Sequence, residues 1–211
     1  VLRLFKGSLV YLVDGKGGFY KAAVEKSHPK KCVVRILEHT IHYGRRNYHL
    51  HIAIAPTKNT DRFEFFVEKS VEIGIDEITP ILCRRSERKR IRTERIKKVA
   101  EAAMKQSIKA YHPVIHEMTG FENFLKINSA TKDYTSGFIA HCENTEKNLL
   151  KNIYKSGEKA IIMIGPEGDF TKEEIQLAAQ FRWKSISLGD SRLRTETAGI
   201  TSCHTIYLMN Q

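Results

Sequence analysis

Ala160-Ile-Ile-Met-Ile164, Gly165-Pro166-Glu167-Gly168-Asp169-Phe170 and Thr171-Lys-Glu-Glu174 follow one another in the chain. Shortly afterwards Ser185-Ile-Ser-Leu188, Gly189-Asp190-Ser191-Arg192-Leu193-Arg194 and Thr195-Glu196-Thr197-Ala198 repeat the plan. A short apolar run, a Gly-bearing loop and a helix start, used twice, predict parallel strands joined by crossover helices. In open α/β sheets, ligands sit where such loops leave the carboxyl ends of the strands. Two of these loops side by side form a pocket, and function is expected there.

Upstream the same alternation continues. His49 to Ala55 is strand-like and stops at Pro56, and Phe63, Phe66, Val67, Ser70 and Val71 share a helical face that ends at Gly74. Ile78 to Leu82 is a strand, and Ile96, Val99, Ala100 and Ala103 recur at helical spacing in a segment running to Lys109. Phe138 to Cys142 is a further strand, and Leu149 to Tyr154 a helix. An alternating βα series predicts an α/β fold with a largely parallel sheet covered on both faces.

Residues 1–44 read differently. Leu9-Val-Tyr-Leu-Val13 ends at Asp14-Gly15, a tight-turn signal, Phe19 to Val24 returns, and Lys31-Cys-Val-Val-Arg-Ile-Leu37 supplies a third run. The pattern is that of a small β domain. It breaks around Gly44-Arg45-Arg46-Asn47, which divides the chain into 1–44 and 45–211.

Composition sets the function classes. The 211 residues are 41% hydrophobic, enough for a real core, and no apolar run reaches the roughly 18 residues that span a bilayer. No signal peptide is visible, and Cys32, Cys83, Cys142 and Cys203 form neither a CxxC pair nor a compact framework, so reduced thiols and a cytoplasmic location are expected. His49 and His51 would face one side of a strand, but no Cys, His or carboxylate spacing completes a site, so no metal is expected. The net charge of +11 favours a polyanionic partner, and Arg84, Arg85, Arg88, Lys89, Arg90, Arg92 and Arg95 crowd one segment. A solvated face accounts equally well for such a run taken alone.

The loops carry the chemistry. Gly165 and Gly168 permit a sharp turn and a close backbone approach to a ligand, Pro166 stiffens the turn, and Thr171 with Glu174 is a capping box. The Gly-Lys-Ser/Thr ending of a P-loop is absent. Arg194 at a strand's carboxyl end suits a phosphate or an anionic base. Glu196 lies where a helix dipole favours a carboxylate, which explains it as well as catalysis does, and Thr195 is a natural N-cap.

The pair Ile164-Gly-Pro-Glu-Gly168 and Leu188-Gly-x-x-x-Leu193-Arg-Thr-Glu-Thr-Ala198 resembles the RsmE family of ribosomal RNA methyltransferases. That family belongs to the SPOUT class, whose C-terminal chain threads into a trefoil knot around S-adenosylmethionine. Lys69-Ser-Val-Glu-Ile-Gly-Ile75, Ile78-Thr-Pro80 and Arg85-Ser-Glu87 resemble its central segment. Three features depart from the pattern. Ser191 holds the place of a common arginine, with Arg192 one position later. Lys105-Gln106-Ser107-Ile108-Lys109 keeps only Gln106 and Ser107 of a Glu-Gln-Ser/Cys-Gly-Arg run. The chain also begins at Val1 inside what resembles the family's N-terminal domain, so a further basic stretch is expected ahead of it.

The resemblance implies a SPOUT trefoil-knotted domain over 45–211 preceded by an incomplete PUA-like β-barrel domain over 1–44. It implies S-adenosylmethionine as cofactor, held by Ile164, Gly165, Pro166, Glu167, Gly168, Leu188, Gly189, Leu193, Thr195, Thr197 and Ala198. His141 takes the place of a third lining loop, although a histidine at a strand end with no cofactor contact is an equal reading. The implied reaction methylates uridine N3 in 16S ribosomal RNA of the small subunit, with Arg194 as the cation beside the developing uridinate and Glu196 as base or base-orienting group. Arg84, Arg85, Arg88 and Arg192 are the implied RNA contacts, and a homodimer is the implied assembly. The alternatives are a SPOUT enzyme acting on transfer RNA or another ribosomal nucleotide, and a non-catalytic RNA-binding or assembly protein.

Overall fold

The computed structural model describes residues 4–130 and 134–211. They fall into two units, one of residues 4–45 with 104–112 and one of the described residues of 46–103 with 113–211. In the first unit, β1 (Leu9–Val13), β2 (Phe19–Lys26) and β3 (Val33–Thr40) form an antiparallel sheet in that order. The expected turn after β1 is made by the Asp14 carboxylate, which accepts hydrogen bonds from the amides of Lys16 (2.7 Å) and Gly18 (2.9 Å). Gly15 and Gly17 there have φ of 73° and 102°, values that favour glycine. Residues 104–112 return to this turn, with the Gly17 amide donating to the Ala110 carbonyl (2.8 Å) and the His112 amide to the Gly15 carbonyl (2.9 Å). A sequence boundary at residue 44 does not include that return, because the segment carries no strand-length apolar run.

In the second unit, apolar strands with few charges become the middle of a parallel sheet. In chain order its elements are β4 (His49–Ile54), α1 (Thr60–Ile73), β5 (Glu77–Leu82), α2 (Thr93–Gln106, whose last turn belongs to the first unit), β6 (Val114–Ile115), β7 (Thr119–Gly120) and α3 (Phe121–Ala130). They continue with β8 (Ser136–Ala140), β9 (Asn148–Leu149), α4 (Leu150–Ile153), β10 (Lys159–Ile164), α5 (Lys172–Gln180), β11 (Lys184–Ser187) and α6 (Thr195–Leu208). The strand order is β6-β5-β4-β10-β8-β11-β9, with β7 beside β5 and every pairing parallel. The α2 helix stops at Gln106 rather than Lys109, and Ile108 turns to a φ of 54°. The sequence reading missed α3, β6, β7 and β9, whose short runs lack a distinct period.

Alternate residues of each strand serve opposite faces. Ala53, Ile81, Ile139, Ile161 and Met163 pack with Phe124, Leu125, Phe170, Ala178 and Trp183 of the α3 and α5 side. On the other face α6 lies against α1, where Gly199 touches the Phe66 ring and Ile54. After β11 the chain therefore crosses back from beyond β8 to the middle of the sheet. Two expected caps are present: the Gly74 amide donates to the Ser70 carbonyl (2.8 Å), and Thr171 and Glu174 make both bonds of a capping box.

Two consequences are measurable. A Cβ at Gly199 would sit 2.5 Å from the Phe66 ring and 3.0 Å from the Ile54 Cδ1 atom, so Gly199→Ala is expected to destabilise the protein by about 1–3 kcal/mol in urea unfolding. His51 is 3% exposed, and burial pushes its imidazole down to about 3 from an ordinary 6.5. Between those values the unfolded chain binds the extra proton, so this contribution to stability is whole above pH 6.5 and is lost as the pH falls toward 3. Its slope is expected to reach at most about 1.4 kcal/mol per pH unit and to vanish in His51→Gln.

Candidate active site

Parallel pairing brings the carboxyl ends of β8 and β10 level, Ile164 opposite Ala140, and β11 ends beside them. The loops that leave these strands, with the first turn of α6, enclose a cavity of about 910 Å³. His141, Ile164, Gly165, Pro166, Glu167, Gly168, Leu188, Gly189, Leu193, Thr195 and Ala198, all expected at the cofactor, line it. Arg194, Arg192 and Arg85 line it too. Thr195 and Ala198 share one side of α6, three residues apart, while Glu196 and Thr197 project elsewhere and are not in the wall. Thr197 is therefore corrected from the expected lining.

Hydrogen bonds close the loops on each other. The Thr195 hydroxyl donates to the Gly165 carbonyl (3.1 Å), joining α6 to the first glycine loop. Asp169 was not singled out by sequence, yet its carboxylate accepts from the amides of Cys142 (2.7 Å) and Phe170 (2.8 Å). It ties the β8 loop to the β10 loop while holding a φ of 62°. Glu167 accepts from the Lys58 amide (2.8 Å), and Lys147 donates to the carbonyls of His141 (3.1 Å) and Glu143 (2.6 Å).

The glycines act differently from expectation. Gly165 and Gly168 have no left-handed backbone; a Cβ on Gly165 would lie 3.1 Å from the Phe170 ring, and one on Gly168 3.3 Å from the Arg85 Cβ. Their demand is close packing inside the wall. Gly189 is the conformational glycine, with a φ of 129° and open space around it.

Charged residues divide into free and committed groups. The Arg194 side chain is exposed in the cavity wall and has no hydrogen bond or ion pair among the described residues. Glu196 is buried, with Oε1 3.8 Å from Nε of Arg62, a cavity-lining cation from α1 that sequence spacing did not reveal. Glu196 itself lies outside the cavity wall, beside this guanidinium. Arg85 donates to the Gly168 carbonyl (2.9 Å), and Arg88 donates to the carbonyls of Thr57 (2.9 Å) and Lys58. Arg85 and Arg88 thus brace loops, and neither Arg84 nor Arg88 lines the cavity.

His141 is 6% exposed, and neither ring nitrogen has a hydrogen-bond partner among the described residues. Burial first, then the Lys147 ammonium, holds this imidazole below its ordinary value, so it faces the cavity uncharged. A buried, unsatisfied ring costs free energy unless something in the cavity bonds to it.

Comparison with known proteins agrees with this architecture. Residues 45–207 match the model of an RNA methyltransferase domain, and residues 1–37 that of an RNA methyltransferase PUA domain. The chain belongs to the RNA methyltransferase family. Its small β unit is accordingly PUA-like, and the parallel unit is the methyltransferase domain. This methyltransferase is 37% identical to a probable rRNA methyltransferase of Porphyromonas gingivalis, with a TM-score of 0.90 over 99% of this chain and 87% of that one. It is 29% identical to the ribosomal RNA small subunit methyltransferase E of Rickettsia conorii, over 99% of this chain and 84% of the relative. A putative methyltransferase of Legionella pneumophila, solved with bound S-adenosylmethionine, is 25% identical with a TM-score of 0.85, over 99% of this chain and 86% of that one.

Asp169→Ala removes the acceptor that holds the Cys142 amide. Amide exchange at Cys142 is expected to accelerate by about tenfold or more, the equivalent of a hydrogen bond to a charged group. Unchanged exchange there would show that the carboxylate does not fasten the loops.

Proposed function

We propose that this chain transfers a methyl group from S-adenosylmethionine to N3 of a uridine in 16S ribosomal RNA of the small subunit. A cytoplasmic homodimer built through the threaded C-terminal region belongs to the same reading. The observation that carries it is the cavity itself, walled by three loops at the sheet's carboxyl edge and containing a buried His141 with two unpartnered ring nitrogens. The names of the relatives from Porphyromonas gingivalis and Rickettsia conorii support the ribosomal RNA substrate, and the Legionella pneumophila complex supports the cofactor. Among the described residues no helix is long and apolar enough to cross a membrane.

The residues present fit the cofactor. Ile164, Leu188 and Leu193 offer apolar wall, the glycine loops offer main-chain polar groups, and His141 offers a ring nitrogen that lacks a partner. Bound there, S-adenosylmethionine supplies an electrophilic methyl group on a sulfonium centre. The protein must manage the nucleophile. Uridine N3 carries a proton and is a poor nucleophile until that proton is shared or lost. Arg194, unpaired in the wall, offsets the negative charge that develops on the base, and its guanidinium plane suits a flat anionic edge. Arg62, 3.8 Å from Glu196, adds a second cation to the wall. The three loops fix the orientation of the two reactants, which supplies much of the acceleration.

Arg194→Ala is expected to lower methyl transfer by about 10²- to 10³-fold, while cofactor affinity changes only a few fold. Nucleoside mass spectrometry of unmethylated small subunits, naked ribosomal RNA and transfer RNA, together with calorimetry of cofactor binding, checks this. Equal loss of transfer and affinity would remove Arg194 from its role. New 3-methyluridine in transfer RNA alone would overturn the substrate, and cofactor binding without any methylation would make the protein a binding module.

A further inference from the structure

The cavity lies at the carboxyl ends of the strands. At their other ends a second group of chemistry-bearing side chains converges, and the methyltransferase reading uses none of it. His51 of β4, Glu77 at the start of β5 and His116 just after β6 bring one potential ligand atom each within 4.8 Å of one another. Parallel register makes the group. His51 lies opposite Glu77, and the His116 amide donates to the Ile78 carbonyl (2.9 Å), so three adjacent strands deliver three side chains to one place.

The second layer is already built. Thr79 Oγ1 lies 2.7 Å from His51 Nε2, while Nδ1 contacts the Tyr134 hydroxyl at 3.0 Å and lies 3.9 Å from Glu77 Oε2. Tyr134 donates its hydroxyl to Glu77 Oε1 (2.9 Å), and His49 Nε2 contacts the same oxygen at 2.8 Å. Metal-binding histidines and carboxylates are oriented by outer partners of this kind. His116 is 40% exposed on its side chain, so the group has a path to solvent.

We propose that His51, Glu77 and His116 form a site for a divalent transition metal of the zinc class, separate from the methyl-transfer cavity. Two imidazoles and one carboxylate are a donor set that zinc accepts, with water in the fourth position. His116 Nε2 now sits 2.5 Å from Glu77 Oε2, closer than the roughly 3.3 Å between two ligands of one tetrahedral ion. Metal entry therefore displaces the Tyr134 hydroxyl from His51 Nδ1, leaving it on Glu77, and moves His116 outward, which its exposure permits, with bonds to the ion replacing both contacts. The neighbouring His49 keeps the other carboxylate oxygen in place.

The test uses the full, untagged chain after chelator treatment, titrated with Zn²⁺ alone and with Co²⁺ as a spectroscopic stand-in. Expected are one saturable equivalent of Zn²⁺, a raised melting temperature and a tetrahedral Co²⁺ spectrum without thiolate charge-transfer bands. His116→Ala is expected to weaken Zn²⁺ by about tenfold or more while leaving the melting temperature of the metal-free protein nearly unchanged. Glu77→Gln is expected to remove the Co²⁺ spectrum. Absence of saturable binding, or binding that survives His116→Ala unchanged, would overturn the site. A thiolate band would place the ion on exposed Cys32 or Cys142 and overturn it equally.

Discussion

The ladder that joins β4, β10 and β8 is the constraint on which the catalytic edge depends. Ile164 pairs with Ile54 on one side and Ala140 on the other, so the loops that follow these strands leave the sheet at one level. A slip of one residue would send Ile161 and Met163 to the wrong face and raise one loop relative to its neighbours. Their burial on the α3 and α5 side opposes such a slip. The apolar pattern that makes the core thus also sets where the cavity is.

What completes the cavity is polar and local. Thr195 reaches Gly165, and Asp169 reaches Cys142, in each case a side chain bonding to the main chain of another loop. Such bonds leave the remaining main-chain groups of the loops free to face a ligand. They also explain why His141 stands out. Around it every loop is fastened by protein partners, and its own ring is not.

The parallel strands and most helices were legible in the sequence because long apolar runs and helical spacing report burial directly. The cavity wall was legible because its residues are contiguous in two loops. Arg62 was not, since it comes from a helix more than a hundred residues before those loops and only folding brings it to Glu196. Glu196 and Thr197 lie outside the wall for a related reason: adjacent letters in a motif diverge by about 100° around a helix. The histidine cluster was invisible because strand register, which spacing along one chain segment does not encode, carries Glu77 and His116 to His51.

The arginine-rich segment has a different character once its bonds are traced. Arg85 grips the Gly168 carbonyl, the Arg84 amide is held by Glu174, and Arg88 grips residues 57 and 58, whose Lys58 amide in turn holds Glu167. The basic surface and the glycine loop are consequently one cross-braced body. Removing Arg85 or Arg88 would therefore release loop carbonyls as well as take charge from the surface.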